Sequence, residues 1–290
     1  SVRNNGQAIP VTMHQKEKMY IPELIFGELY SSSHYNDSET RISGGLNGLG
    51  IKLTAIFSQK FTVEIGDPVN QKSFHQEYTA NMSKKSKPII KPYNKKDGYV
   101  QINFTPDFKY FKISEFSDQM IRLMYRRVYD IAMIVEKKVK VYLNDGLILV
   151  NEMSKYMHMI TDSEILIDRC DNPESLNRWK IGISKSSGDN FKCISFVNSV
   201  NTYEHGTHVK HVMGMILKGL REMIEKKHKD AVIKDQVIRD QIQILVIATI
   251  ENPSFEAQTK NQLTTQVSNF GSWCQIDTKT IKKLYQRLDL

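Results

Sequence analysis

The sequence predicts an α/β (α+β) chain of two domains, each with helices packed on a sheet. Three observations predict it. The chain has 290 residues, more than one hydrophobic core ordinarily organises. Segments with apolar residues at every second position alternate with segments where they recur at spacings of three and four. The character then changes after Asn144-Asp145-Gly146, a hairpin signal, which places a boundary near residues 145–155 and the domains at 1–150 and 151–290.

Residues 1–16 read as turn and loop, with Asn4-Asn5-Gly6 followed by Pro10. Pro22 to Tyr30 reads as a short helix with proline in its first turn, and Ser31 to Ser43 as a polar loop. A helix-like segment spans Ile51 to Ser58. Phe61, Val63 and Ile65, then Val100, Ile102 and Phe104, then Val139, Val141 and Leu143 each alternate as strands do. Between the last two sets, Ile121, Met124, Tyr125, Val128, Ile131, Ala132 and Val135 mark an amphipathic helix whose stripe is read as core. Strand-like pieces follow at Trp179 to Ile183 and Cys193 to Val200. A second long helix runs from Val209 to Lys227 with Val212, Met213, Ile216, Leu220 and Ile224 on one face. Gln241 to Ile250 is a nearly continuous, β-branched apolar run, the mark of a buried strand.

Hydrophobic content of 40% suits a globular chain, and no apolar run approaches the ~18–20 residues of a membrane span, so no membrane partner is expected. Nothing at the start reads as a secretory leader. Cys170, Cys193 and Cys274 are odd in number and widely spaced, without metal-ligand pattern, which points to a reducing intracellular compartment. The net charge of +8 gathers at Lys84-Lys85-Ser86-Lys87, Lys95-Lys96, Lys137-Lys138-Val139-Lys140 and Lys226-Lys227-His228-Lys229. Such clusters suit a polyanionic partner or are simply solvated faces.

Ser43-Gly44-Gly45-Leu46-Asn47-Gly48-Leu49-Gly50-Ile51-Lys52 is the most informative stretch. Its glycines let backbone N–H groups approach an anion, and the helix that follows aims its positive end at the same place. Ordinary turns also gather glycines. Gly50 is followed by Ile51 where a Walker A loop needs Lys-Ser/Thr, so the element is not a P-loop.

Several further motifs occur in order along the chain: Asn4-Asn5-Gly6-Gln7-Ala8-Ile9-Pro10, Tyr20 to Gly27, Ser31-Ser32-Ser33-His34-Tyr35, Ser195 to Val200, His205-Gly206-Thr207-His208-Val209, and Ile250 to Lys260. Together with the glycine loop they resemble the ATPase region of eukaryotic-type type II DNA topoisomerases. The resemblance implies a GHKL-type sandwich of helices on a mixed sheet, followed by a transducer domain of ribosomal-S5-like α/β sandwich type. It also implies ATP and Mg2+ as ligands, a homodimer formed through the ATPase region, double-stranded DNA bound without regard to sequence, and a nuclear location.

The resemblance assigns roles residue by residue. Asn4 reads the adenine amine, a task an amide can perform as donor and acceptor. Ser32, Ser33 and His34 contact sugar and phosphates, with His34 where the family has Asn. Gly45, Leu46, Asn47, Gly48, Leu49, Gly50, Ile51 and Lys52 form the phosphate loop, with Leu46 replacing an Arg and Leu49 an aromatic residue. Weaker or slower nucleotide binding is expected from those replacements, and Ala8 stands where the family has glycine. Gln258, Thr259 and Lys260 match the switch loop, Lys260 stabilising the γ-phosphate and the charge of its transfer. Lys226, Lys227 and Lys229 match the DNA-contacting lysine loop.

The family's general base is a Glu on a helix upstream of the Asn-Asn-Gly turn, with a Mg2+-binding Asn one turn later. Glu17, Glu23 and Glu28 all lie downstream of that turn, so neither the general base nor a metal ligand is expected in this chain, and little or no ATP hydrolysis by it alone. Tyr285 has no neighbouring Arg and does not match the cleavage nucleophile. Two rival readings remain. One is another GHKL ATPase, MutL-like or a chaperone; the other is a DNA-binding module independent of nucleotide.

Overall fold

The structure, a computed structural model, describes residues 1–29, 40–45, 48–169, 178–188, 190–228 and 233–288. The chain forms two compact units, one of residues 1–39 and 45–117, the other of 40–44 and 118–290.

In the first unit, β1 (Val2–Asn4), β2 (Ser58–Asp67), β3 (Lys72–Thr79), β4 (Lys84–Lys85), β5 (Ile89–Pro92) and β6 (Tyr99–Pro106) make one antiparallel sheet, ordered β1-β6-β2-β3-β4 with β5 also on β3. Its register explains the core. Phe61 pairs with Phe104 and Tyr78, Val63 with Ile102, and Ile65 with Val100 and Phe74, so alternation gathers these side chains on one face. Helices α1 (Ile21–Gly27) and α2 (Gly50–Ile56) contribute Phe26 and Ala55 to that cluster. Pro22 lies in the first turn of α1, where its missing N–H costs nothing. The opening residues are not all loop: β1 pairs with β6, a three-residue strand too short to show alternation.

The outer edge of this sheet carries Lys84, Lys85, Lys87 and Lys91, all exposed, with Pro88 and Pro92 in the same stretch. Lys85 lies 3.3 Å from Glu23 and 3.5 Å from Glu28. At the end of β2, buried Asp67 accepts hydrogen bonds from the Val11 N–H (2.8 Å), the Val69 N–H (3.0 Å) and the Asn70 N–H (3.1 Å) and side chain (2.6 Å). Burial opposes its charge, yet these donors hold the carboxyl below the usual range. One side chain thus closes the β2–β3 turn and ties the segment around Val11 to the sheet.

The second unit contains α3 (Asp118–Ile134), the hairpin β7 (Tyr142–Leu143) and β8 (Gly146–Leu147), α4 (Met153–Met157), β9 (Leu166–Arg169), β10 (Trp179–Lys185), β11 (Lys192–Val197), β12 (Val200–Asn201), β13 (His205–Gly206), α5 (Thr207–Lys227), α6 (Asp235–Asp240), β14 (Ile242–Ala248), β15 (Gln262–Leu263) and α7 (Thr278–Tyr285). The main sheet runs β12-β11-β14-β10-β9, with β11 and β14 parallel and the other pairs antiparallel. All of β14 is buried. Ile242, Ile244, Val246 and Ala248 pack against α5, α6 and α7, while Leu245 and Ile247 pack against α4 and the end of α3. Burial on both faces is why its sequence is a continuous apolar run. The expected face of α5 is also in place, with Val209, Val212, Met213, Ile216, Leu220 and Ile224 buried.

Two expectations are corrected here. Asn144 and Asp145 have φ of 46° and 65° and turn the predicted hairpin, but the strand expected over Val139 to Leu143 reduces to its last two residues. In α3 the apolar stripe is not core throughout. Ile121, Met124, Tyr125 and Ile131 are exposed; the buried residues are Asp130, Ala132 and Met133. Only the C-terminal turns of α3 reach the cluster with α4.

Two substitutions separate these surfaces. Ile244→Ala, at a site 1% exposed, should cost about 2–5 kcal/mol, whereas Ile121→Ala should cost under about 1 kcal/mol. Urea midpoints of the second unit measure both.

Candidate functional site

The Gln258-Thr259-Lys260 motif sits on a loop that leaves β14 and returns as β15, and the loop is anchored at every turn. The Asn198 side chain clamps its start, donating to the Ile250 carbonyl and accepting from the Ile250 N–H, each at 2.8 Å. Asn198 can do this because it and Ser199, with φ of 49° and 66°, form the tight turn between β11 and β12. Next, the Glu251 carboxylate meets Arg178 at 2.7 Å. Gly271, at φ 64°, packs so closely on Glu251 that a Cβ would collide with the carboxylate. Asn252 then pairs with Arg41 through its N–H (2.8 Å) and its side-chain oxygen (2.9 Å), and Arg41 Nη2 donates to the Pro253 carbonyl at 3.1 Å.

The two legs of the loop pair through Thr264 N–H to Ser254 O (2.9 Å) and Glu256 N–H to Gln262 O (3.1 Å), leaving residues 257–261 at the tip. The return leg lies parallel to β13, pairing His205 with Gln262 and Gly206 with Leu263. Gly206, at φ 128°, has the Leu263 backbone where a Cβ would stand, so only glycine permits this approach.

At the tip Gln258 and Thr259 are exposed, and Lys260 is half-buried in the left-handed conformation (φ 59°), its N–H on the Ala257 carbonyl at 2.9 Å. Burial, and then the nearby Arg41 guanidinium, push the Lys260 ammonium below its usual range. A cation so placed gains from an anion that arrives beside it.

The glycine loop is described in part. Gly44 belongs to the second unit and packs on Val200 with no room for a Cβ. Gly45 and Gly50 belong to the first unit and have open space where a Cβ would point; Gly48 is left-handed at φ 61°. Helix α2 starts at Gly50, with Leu49 at its N-cap and Ile51 on the first unit's core. Lys52 is 2% exposed, and burial lowers its pKa against the opposing pull of Glu28. The structure therefore places Lys52 inside the unit, not on an open rim. Asn4 is exposed and ends β1 opposite Val100. Lys226 and Lys227 are exposed in the last turn of α5, Lys227 with its ammonium 4.7 Å above the Tyr285 ring. Ser32, Ser33, His34, Leu46, Asn47 and Lys229 lie outside the described residues.

Sequence reasoning missed the anchors Arg41, Arg178, Asn198, Gly206 and Asn252, which hold the loop, and a second network on α3. There the buried Asp130 accepts from Tyr156 (2.6 Å) and pairs with Arg127 (2.8 Å), which in turn reaches Asn201 (3.4 Å) and the Tyr203 hydroxyl. A lone carboxylate inside an apolar stripe, just after Arg126-Arg127, was the available signal. Among the described residues no three His, Cys, Asp or Glu gather as a metal site, and no helix is long and apolar enough to cross a membrane.

The two units are thus a helix-backed antiparallel sheet and a mixed sheet covered on both faces. Over residues 131–286 the chain matches the DNA gyrase B family. It superimposes on the ATPase region of Saccharomyces cerevisiae topoisomerase II with a TM-score of 0.89 at 37% identity, covering 98% of this chain and 72% of that one. The ATPase and transducer domains of DNA topoisomerase II from Balamuthia mandrillaris superimpose with a TM-score of 0.90 at 35% identity, over 98% and 72% of the two chains. It is 41% identical over 285 residues to the probable DNA topoisomerase 2 of Dictyostelium discoideum, covering 98% of this chain and 19% of that protein. Against DNA topoisomerase 2 of Arabidopsis thaliana it is 39% identical over 290 residues, covering 98% and 20%. The chain belongs to the type II DNA topoisomerase family. It spans about a fifth of the length of the curated relatives it matches.

Two predictions test the loop's supports. Asn198→Ala removes both hydrogen bonds to Ile250 and should lower stability by about 2–3 kcal/mol, with faster amide exchange over 250–265. His208 is fully buried beside the Thr202 hydroxyl; burial, and then His205, push its pKa down to about 3. A histidine depressed in the folded state takes up its proton on unfolding, so stability should fall as pH drops from about 6.5 towards 3. His208→Gln should flatten that slope in denaturation midpoints measured against pH.

Proposed function

We propose that the chain is the ATPase and transducer portion of a type II DNA topoisomerase, in which ATP binding drives dimerisation and closes a gate on DNA for strand passage. The observation that carries this reading is the switch loop. Its tip presents Lys260, half-desolvated and beside Arg41, on a scaffold fixed by Asn198, Asn252 and the Gly206–Leu263 pairing. That is a receptor for an anion whose loss would be felt by the whole loop.

The residues present fit a nucleotide. Gly45 and Gly50 leave the backbone open to phosphate oxygens, and Gly48 supplies the left-handed turn. Asn4 would read the adenine edge, and Ser32, Ser33 and His34 would take the sugar and phosphates. Lys260 would hold the γ-phosphate, stabilising the charge spread over its oxygens during transfer, with Gln258 and Thr259 orienting it. Bound together with the nucleotide, Mg2+ would supply further charge neutralisation. Lys52, being buried, would act through the position of α2. Lys226, Lys227 and Lys229 would bind DNA phosphates without reading bases. A nuclear homodimer acting on double-stranded DNA accords with this reading.

Calorimetric titration of ATP–Mg2+ into the chain tests nucleotide binding directly; saturable heat is expected, and a flat titration at millimolar ligand would favour a nucleotide-independent module. In the full-length parent, Lys260→Ala should abolish turnover while leaving ADP affinity nearly unchanged. Neutralising Lys226, Lys227 and Lys229 should weaken DNA binding and make log affinity less steep against log salt, by about one unit for each DNA phosphate no longer neutralised.

A further inference from the structure

The second unit contains a cavity of about 540 Å3 that none of the roles above uses. Its walls are Tyr125 and Tyr129 of α3, Tyr156 of α4 and Tyr203, and its floor is laid by β11 through Cys193 and Ile194. The volume falls in the range of small-molecule sites, and the lining is mainly apolar and aromatic with a few polar groups. Tyr125, Met159, Ile160 and Tyr203 around it are each 40% exposed or more, a gathering of large apolar side chains at one opening.

The polar groups in and behind the cavity walls differ in how far they are already engaged. Arg127 is engaged by Asp130, Asn201 and Tyr203, and the Tyr156 hydroxyl donates to Asp130. Arg126 also lines the cavity, with its guanidinium beside the Tyr156 hydroxyl. Its carboxylate partner among the described residues, Asp130, stands at 3.9 Å and is already shared with Arg127. Two guanidinium groups therefore face one carboxylate, and one positive charge remains. The rest of the lining is neutral: burial raises the Cys193 thiol to about 12, and burial, partly countered by the Thr202 backbone, lowers His205.

We propose that this cavity binds a small planar aromatic monoanion, an aryl carboxylate in its simplest form, with the ring against the tyrosine walls and the carboxylate on Arg126. Planar rings suit tyrosine walls, and a guanidinium takes a carboxylate in bidentate fashion. A single available arginine matches one charge and not a triphosphate, so the site is separate from the nucleotide reading and does not depend on it. Because Tyr203 lies just before β13 and His205 is its first residue, a ligand here also lies against the strand that pairs with the switch loop.

Calorimetric titration of the chain with 2-naphthoate and with neutral 2-naphthamide tests this, with amide hydrogen exchange locating the ligand. The expected result is saturable 2-naphthoate binding with added protection at residues 193–196 and 201–206. Arg126→Gln, a change at a 41% exposed side chain that should not disturb folding, should weaken naphthoate about tenfold and leave naphthamide unchanged. ATP–Mg2+ should not displace the ligand. A flat naphthoate titration at millimolar concentration, protection confined to other segments, equal affinity in Arg126→Gln, or displacement by ATP–Mg2+ would each overturn the proposal.

Discussion

The approach of the Leu263 backbone to Gly206 is the constraint on which the second unit's candidate site depends. Two residue pairs between parallel strands there fix the return leg of a loop whose tip carries Lys260. Because backbone meets backbone, the geometry leaves no slack for a side chain and transmits displacement of either strand directly. The outgoing leg is fixed differently, by amide and guanidinium side chains from elsewhere in the unit. Asn198 replaces a missing strand at Ile250, and Arg41 pairs with Asn252 as a strand neighbour would. A tip suspended between a rigid rail and a set of hydrogen bonds can respond to charge without unfolding its base.

Behind that loop stands β14, buried on both faces and parallel to β11. Its hydrophobic wrapping holds the loop's root: moving Ile250 would strain a strand packed by α5, α6 and α7 on one side and α4 on the other. The first unit uses a one-sided version of the same plan. Its antiparallel sheet buries Phe61, Val63, Ile65 and their cross-strand partners, and Asp67 gathers the loop ends that a hydrophobic face cannot hold.

How much of this was legible depended on whether the determining contact was local. The strand over Phe61, Val63 and Ile65 and the helix from Val209 to Ile224 announce themselves by period, because each faces one core along its whole length. The run from Gln241 to Ile250 reads as a buried strand for the complementary reason. The stripe on α3 misled: its period is real, but only the last turns meet the cluster with α4, and which part of an amphipathic helix is covered is a tertiary matter. For the site, the glycine run and Gln258-Thr259-Lys260 were visible as motifs. Their supports were not, since Asn198 acts on Ile250 across 52 residues and Arg41 on Asn252 across 211. Neither pattern nor propensity encodes a clamp between distant segments. Burial of Lys52 was equally hidden, because a lysine next to a glycine loop looks solvated until α2 is docked.

The lysines and prolines along β4 and β5 have an implication for assembly. A β-sheet grows by offering unpaired N–H and C=O groups to a further strand, and here that margin is interrupted by Pro88 and Pro92, which have no N–H to offer, and flanked by like charges that repel a second copy. Sheet-to-sheet extension across molecules is thereby discouraged at the side of the first unit farthest from β1. Crowding at high concentration should therefore not turn this margin into a seed for fibres.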